Sequence, residues 1–138
     1  MSPKVKGDIE KLIGYSIDFA ETLLLGSGEY YPFGSKISSS GELTPLSYFD
    51  EEEFPESQKI INGLTSVFED ALNKKEVRAY CIAYDVRVKN EKYDAATDAL
   101  LLSIKHEDVE GRLTYYYPYE LGNNKKLEFL EPWGEHEN

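Results

Sequence analysis

The sequence predicts an α+β fold: a single antiparallel sheet of about five strands, with two amphipathic helices on one face. Two segments repeat apolar residues at three- and four-residue spacing. The other periodic segments are rich in β-branched and aromatic residues and are punctuated by Gly, Pro, Asn and Ser. The resulting order is helix, hairpin, helix, then a run of three antiparallel strands (α-β-β-α-β-β-β).

The first helix is read over about residues 5 to 25, from Val5, Ile9, Leu12, Ile13, Ser16, Ala20, Leu23 and Leu24. Gly26-Ser27-Gly28 ends it, because glycine adopts the left-handed cap cheaply. Glu29–Ser38 and Glu42–Phe49 read as a hairpin around Ser39-Ser40-Gly41. Pro32 and Pro45 cannot donate ladder hydrogen bonds, which places them at edges or bulges. After the acidic Asp50-Glu51-Glu52-Glu53 loop, Pro55-Glu56-Ser57 opens a second helix running to about Lys75. Its stripe is Ile60, Ile61, Leu64, Val67, Phe68, Ala71 and Leu72.

Glu76–Lys89 is a long strand with Tyr80, Ile82, Tyr84, Val86 and Val88 on one face and Ala79, Cys81, Ala83, Asp85 and Arg87 on the other. Asp98–His106 and Arg112–Glu120 complete the antiparallel run, and Lys125–Leu130 adds a short last strand. A chain of 138 residues fits one domain, placed at 1–130, with 131–138 expected to fray apart from Trp133.

With 26 acidic and 15 basic residues, the net charge is −11. Such a chain is repelled by phosphate backbones and anionic lipid, which argues against nucleic-acid and membrane binding and is compatible with a basic protein partner. One cysteine, Cys81, forms no intrachain disulfide, and no long apolar run follows the N-terminus. Both point to a cytoplasmic protein.

The sequence offers little for catalysis or cofactors. Gly26-Ser27-Gly28 lacks the third glycine and the strand-to-helix context of a phosphate loop. His106 and His136 are not at metal-ligand spacing, and His106-Glu107-Asp108 reads as a solvated turn. Cys81 among strand alanines reads as a small packed residue rather than a nucleophile. Asp94 and Asp98 belong to no calcium-loop pattern, and no carboxylate pair stands out for acid–base work. We therefore read the chain as no enzyme, with no cofactor and no metal.

The most unusual stretch is Thr114-Tyr115-Tyr116-Tyr117-Pro118-Tyr119. Alternation puts Leu113, Tyr115, Tyr117 and Tyr119 on one face, suited to a core whose hydroxyls reach its wet rim. Tyr116 then stands on the opposite face with Leu101, and Ala79, Cys81 and Ala83 are expected beside it. With both helices on the other side, that face would be open and apolar, as docking surfaces are. The alternative remains that Ala-Cys-Ala serves close helix packing. Tyr116 and Leu101, with Asp50, Glu51, Glu52 and Glu53 as steering charges, form the expected partner-binding set.

Glu29-Tyr-Tyr-Pro-Phe-Gly-Ser-Lys-Ile-Ser-Ser-Ser-Gly-Glu42, Val77-Arg-Ala-Tyr-Cys-Ile-Ala-Tyr-Asp-Val-Arg-Val88 and Tyr116-Tyr-Pro-Tyr-Glu-Leu121 together carry a resemblance. The chain resembles small uncharacterised bacterial proteins with a Tyr-Pro-Phe-Gly hairpin, an Asp-Val-Arg-Val strand and a Tyr-Pro-Tyr strand, over about Ile9–Leu121. The resemblance implies no activity and no catalytic residue. The element order is also similar to that of roadblock-like and profilin-like modules, and size and acidity are similar to those of immunity proteins that neutralise toxins. The first expectation is a non-enzymatic interaction module whose partner is a protein, a basic one or a second copy of the chain. The alternative is a small-molecule-binding domain with an aromatic pocket between helix and sheet, lined by Tyr31, Phe33 and the Tyr115 face.

Overall fold

The computed structural model describes residues 1–47, 56–89, 96–124 and 126–138. Helix α1 spans Pro3–Ser27. The Ser2 hydroxyl accepts a hydrogen bond from the Val5 N–H at 3.2 Å, and Pro3 costs nothing where the first-turn N–H groups have no helical partner. The helix ends at Gly28, with φ at 80° and its N–H donating to the Leu24 carbonyl at 2.9 Å. Strands β1 (Phe33–Ser38) and β2 (Leu43–Leu46) form the predicted hairpin.

Helix α2 spans Ser57–Asn73. Its C-terminus closes through Lys75 N–H to the Leu72 carbonyl and Glu76 N–H to the Ala71 carbonyl, with Lys75 at a φ of 60°. That is the Schellman pattern, with lysine where glycine is the usual residue. Strands β3 (Val77–Val88), β4 (Thr97–His106) and β5 (Arg112–Leu121) follow, then β6 (Leu127–Phe129) and β7 (Trp133–Glu137).

The sheet is open and antiparallel, in the order β2-β1-β3-β4-β5-β6. It has seven strands rather than about five, because both C-terminal segments add to β5 on its outer side. Strand β6 pairs with Tyr119–Leu121, and β7 pairs with Arg112–Tyr116. The C-terminal residues expected to fray are therefore a paired strand. The His136 ring meets the Glu110 carbonyl at 2.7 Å, which holds them further.

The helices do not share a face. Helix α1 packs on Phe33, Ile37, Ala79, Cys81, Ala83, Leu100, Leu102, Ile104 and Leu113. Helix α2 puts Ile60, Leu64 and Phe68 against Tyr80 and Ile82, the alternate side chains of the same strand. The unbroken burial of Ala79-Tyr80-Cys81-Ile82-Ala83 requires this, because a strand apolar on both faces needs cover on both. The small side chains face α1, where Ser16 and Ala20 approach them. The large ones face α2, which crosses β1 where Gly34 presents no side chain: a Cβ there would lie 2.6 Å from the Phe68 ring. Close packing is thus the role of Ala-Cys-Ala.

Candidate functional site

Direct cross-strand pairing places residues on one face in one row. The register Tyr84↔Leu101↔Tyr116↔Trp133 runs across β3, β4, β5 and β7. Tyr116 and Trp133 stack with ring centroids 4.8 Å apart and planes 16° from parallel. The row lies on the α2 side of the sheet, displaced from α2, which packs mainly on β1 and β3.

Tyr116 does pair with Leu101, as expected, but its face-mates are Tyr84 and Trp133, not Ala79, Cys81 and Ala83. Those three lie under α1. Leu101 is only 7% exposed, so it is a support beneath the surface rather than an open contact residue. Its direct partners on either side are two tyrosines, whose longer side chains rise past it. Tyr84, Tyr116 and Trp133 remain partly exposed. Asp50, Glu51, Glu52 and Glu53 lie outside the described residues.

Carboxylates flank the row on the same face. Glu135 is opposite Thr114, and Glu137 is opposite Arg112, which also donates to the Ser103 and Tyr80 hydroxyls at 2.8 and 2.9 Å. Beyond the other side, Glu120 and Glu128 are directly opposed across β5 and β6. All four glutamates are exposed. Two like charges in a direct pair are unfavourable unless a counter-charge joins them. The pair lines an open groove with Leu121, Gly122, Asn124 and Lys126. The Tyr116 hydroxyl is pushed above the ordinary phenol range, first by burial and then by Glu135, Tyr84 and Glu137. The acidic field therefore reaches the aromatic row.

Compared against protein-family models, curated proteins and solved structures, the chain matches none. What the side chains can do must come from their geometry.

Two further polar clusters are structural locks. Asp8, 2% exposed, accepts from Arg78 Nε and Nη2 at 2.8 and 2.9 Å and from His106 Nε2 at 2.9 Å. Burial works to raise its carboxyl, but the Arg78 and His106 contacts outweigh that and hold it below the ordinary value. His106 Nδ1 accepts the Asp108 N–H at 3.1 Å, so Nε2 carries the proton given to Asp8. Both ring nitrogens are occupied, leaving none to act as a base. The turn reading of His106 is corrected accordingly: Glu107 is solvated, but His106 is 1% exposed and clamps α1 to β4.

At the other end of the α1 side, the Tyr119 hydroxyl donates to Asp85 Oδ1 at 2.7 Å. Loss of solvent raises the Asp85 carboxyl, and the Tyr119 bond acts against that rise. The buried Tyr30 hydroxyl lies in the same field and is pushed up, by burial first and Asp85 second. The Tyr119–Asp85 bond ties β5 to β3.

Cys81 is fully buried, its thiol pushed up to about 12 by desolvation and 3.5 Å from the Ser16 hydroxyl. A thiol so placed is inert. Of the pocket residues expected between helix and sheet, Phe33 is 4% exposed and meets Tyr15, Phe19 and Tyr30 ring to ring at 4.9 to 6.4 Å. Tyr31 is 47% exposed. Among the described residues no three His, Cys, Asp or Glu side chains are grouped to hold a metal, and no helix is long and apolar enough to cross a membrane.

Trp133 is the site residue that sequence reasoning missed. Its signal was available: the sole tryptophan begins Trp-Gly-Glu-His-Glu, where alternation puts Trp133, Glu135 and Glu137 on one face.

Proposed function

We infer that the chain is a non-enzymatic, acidic protein-interaction module of the cytoplasm, with immunity-like neutralisation of a toxin as one role compatible with its size and acidity. The observation that carries this reading is the Tyr116–Trp133 stack on a sheet face flanked by Glu120, Glu128, Glu135 and Glu137. Aromatic side chains with two rotatable bonds are efficient anchors, and surrounding charges steer the encounter and select the partner. The net charge of −11 acts in the same direction over the whole surface. Asp8, Arg78 and His106 tie helix α1 to β3 and β4, and the Tyr119–Asp85 bond joins β5 to β3, which supports a rigid platform beneath the row.

The test compares three immobilised proteins as baits for the cytoplasm of cells that produce the chain. A partner retained by wild type and by Val67→Ala, but lost from Tyr116→Ala with folding intact by circular dichroism, is the expected result. Val67 is a fair control because it is 48% exposed on α2, outside the aromatic row. Equal capture by all three proteins overturns the reading.

A further inference from the structure

We propose that the surface around the Tyr116–Trp133 stack takes an extended, arginine-bearing segment of a partner protein rather than a second copy of this chain. The proposal rests on the interaction reading above and names the chemistry of its occupant.

Charge placement argues for a cation. Glu135 is one row from the stack, and the Glu120–Glu128 pair is two rows away in the opposite direction along β5. At about 3.3 Å per residue, these groups are separated by roughly 20 Å along the strand. The aromatic row lies between them. An extended chain with cations about six residues apart would meet both acidic positions at once, with a central side chain over the rings. The same placement disfavours self-docking, because a second copy brings glutamates to glutamates. Opposed like charges cost binding, whereas a cation is favoured beside the directly opposed Glu120 and Glu128.

The rings argue for arginine over lysine. A guanidinium is planar and weakly hydrated, so it can stack on an aromatic face while its edge donates to carboxylates. The protein already uses this contact internally. The Arg112 guanidinium lies 5.7 Å from the Tyr80 ring centroid while donating to the Tyr80 hydroxyl. Trp133 is the outermost member of its row, at the edge of the sheet, and is the only tryptophan, so its emission reports occupancy directly.

The experiment titrates the full chain with the peptide acetyl-Arg-Gly-Arg-Gly-Gly-Gly-Arg-amide, whose three arginines share one face when extended and match the spacing of Glu135, the stack and the Glu120–Glu128 pair, and follows Trp133 fluorescence. Saturable quenching is expected, with the matching lysine peptide at least about threefold weaker. Glu120→Gln combined with Glu135→Gln should weaken arginine-peptide binding about tenfold, the scale expected when paired charges are lost. Glu10→Gln combined with Glu21→Gln changes net charge equally on the exposed side of α1 and should leave binding within about twofold.

Equal weakening by both double variants would show attraction to net charge alone and overturn the proposal. So would equal binding of the two peptides, an unresponsive Trp133, or a concentration-dependent dimer that buries Trp133. The bait comparison above separates the two levels. A partner lost from Tyr116→Ala with no response to the arginine peptide keeps the interaction reading and removes this occupant.

Discussion

Gly34→Ala should destabilise the protein, although replacing glycine by alanine in a strand ordinarily stabilises by roughly 0.5–1 kcal/mol. The reversal comes from α2. The new Cβ would lie 2.6 Å from Cε2 and Cζ of Phe68 and 3.3 Å from the Cys81 carbonyl oxygen. Ordinary carbon contacts begin near 3.5 Å, so the ring must retreat by about 1 Å. Phe68 is fully buried and stacked on Tyr80 at 5.0 Å, so the retreat disturbs the whole α2 contact. Overpacking of this kind costs typically 1–3 kcal/mol, and the expected net loss is about 2 kcal/mol. Urea unfolding by far-UV circular dichroism measures it, with the midpoint lowered and the slope unchanged. Phe68→Leu should partly relieve the clash, so the double variant should lose less than the sum of the two single variants. Equal or greater stability for Gly34→Ala would refute the placement of α2 against β1.

Three further outcomes follow from particular residues. Asp8→Asn leaves Arg78 without its charged partner and should cost about 3 kcal/mol at pH 7, measured by urea unfolding. The folded Asp8 carboxyl is depressed below its ordinary 3.8, so its contribution is full above that pH and lost as pH falls through the folded value; the gap between wild type and variant should narrow there. Gly111→Ala should release the C-terminal strand, because φ is +79° and an added Cβ would overlap the Glu137 carbonyl oxygen; Trp133 emission should shift to the red while far-UV signal from the helices persists. Lys75→Gly should stabilise by about 1 kcal/mol by relieving a left-handed lysine in the Schellman cap, read as a higher urea midpoint.

The elements that were legible in the sequence are those with a strong local period. Val5, Ile9, Leu12, Ser16 and Ala20 place α1, and Ile60, Leu64 and Phe68 place α2, because a helix buries one stripe. Which side of the sheet each helix takes is not a local property. Ala79-Cys81-Ala83 and Tyr80-Ile82-Tyr84 are both apolar, and only the volumes of the opposing side chains decide that the small set meets Ser16 and Ala20 while the large set meets Phe68. Strand β7 escaped for a similar reason. Trp-Gly-Glu-His-Glu is too short and too charged to stand as a strand alone, and it forms because Arg112–Tyr116 offers an unpaired edge. The site followed the same division: the alternation of Tyr115, Tyr116 and Tyr117 marked Tyr116 as the residue on the other face, while its stacking partner came from that non-local pairing. Leu101 was on the correct face but is buried, since exposure depends on neighbouring rings that sequence position does not reveal.

The central claim, that a protein partner docks at the Tyr116–Trp133 face, is tested most directly by photo-crosslinking. Tyr116→p-benzoylphenylalanine in producing cells, followed by irradiation and mass spectrometry, should yield one heterologous protein covalently joined at that position, with no such adduct from the same replacement at Glu21 on α1. Adducts of equal yield and identity at both positions, or none at Tyr116, would contradict it.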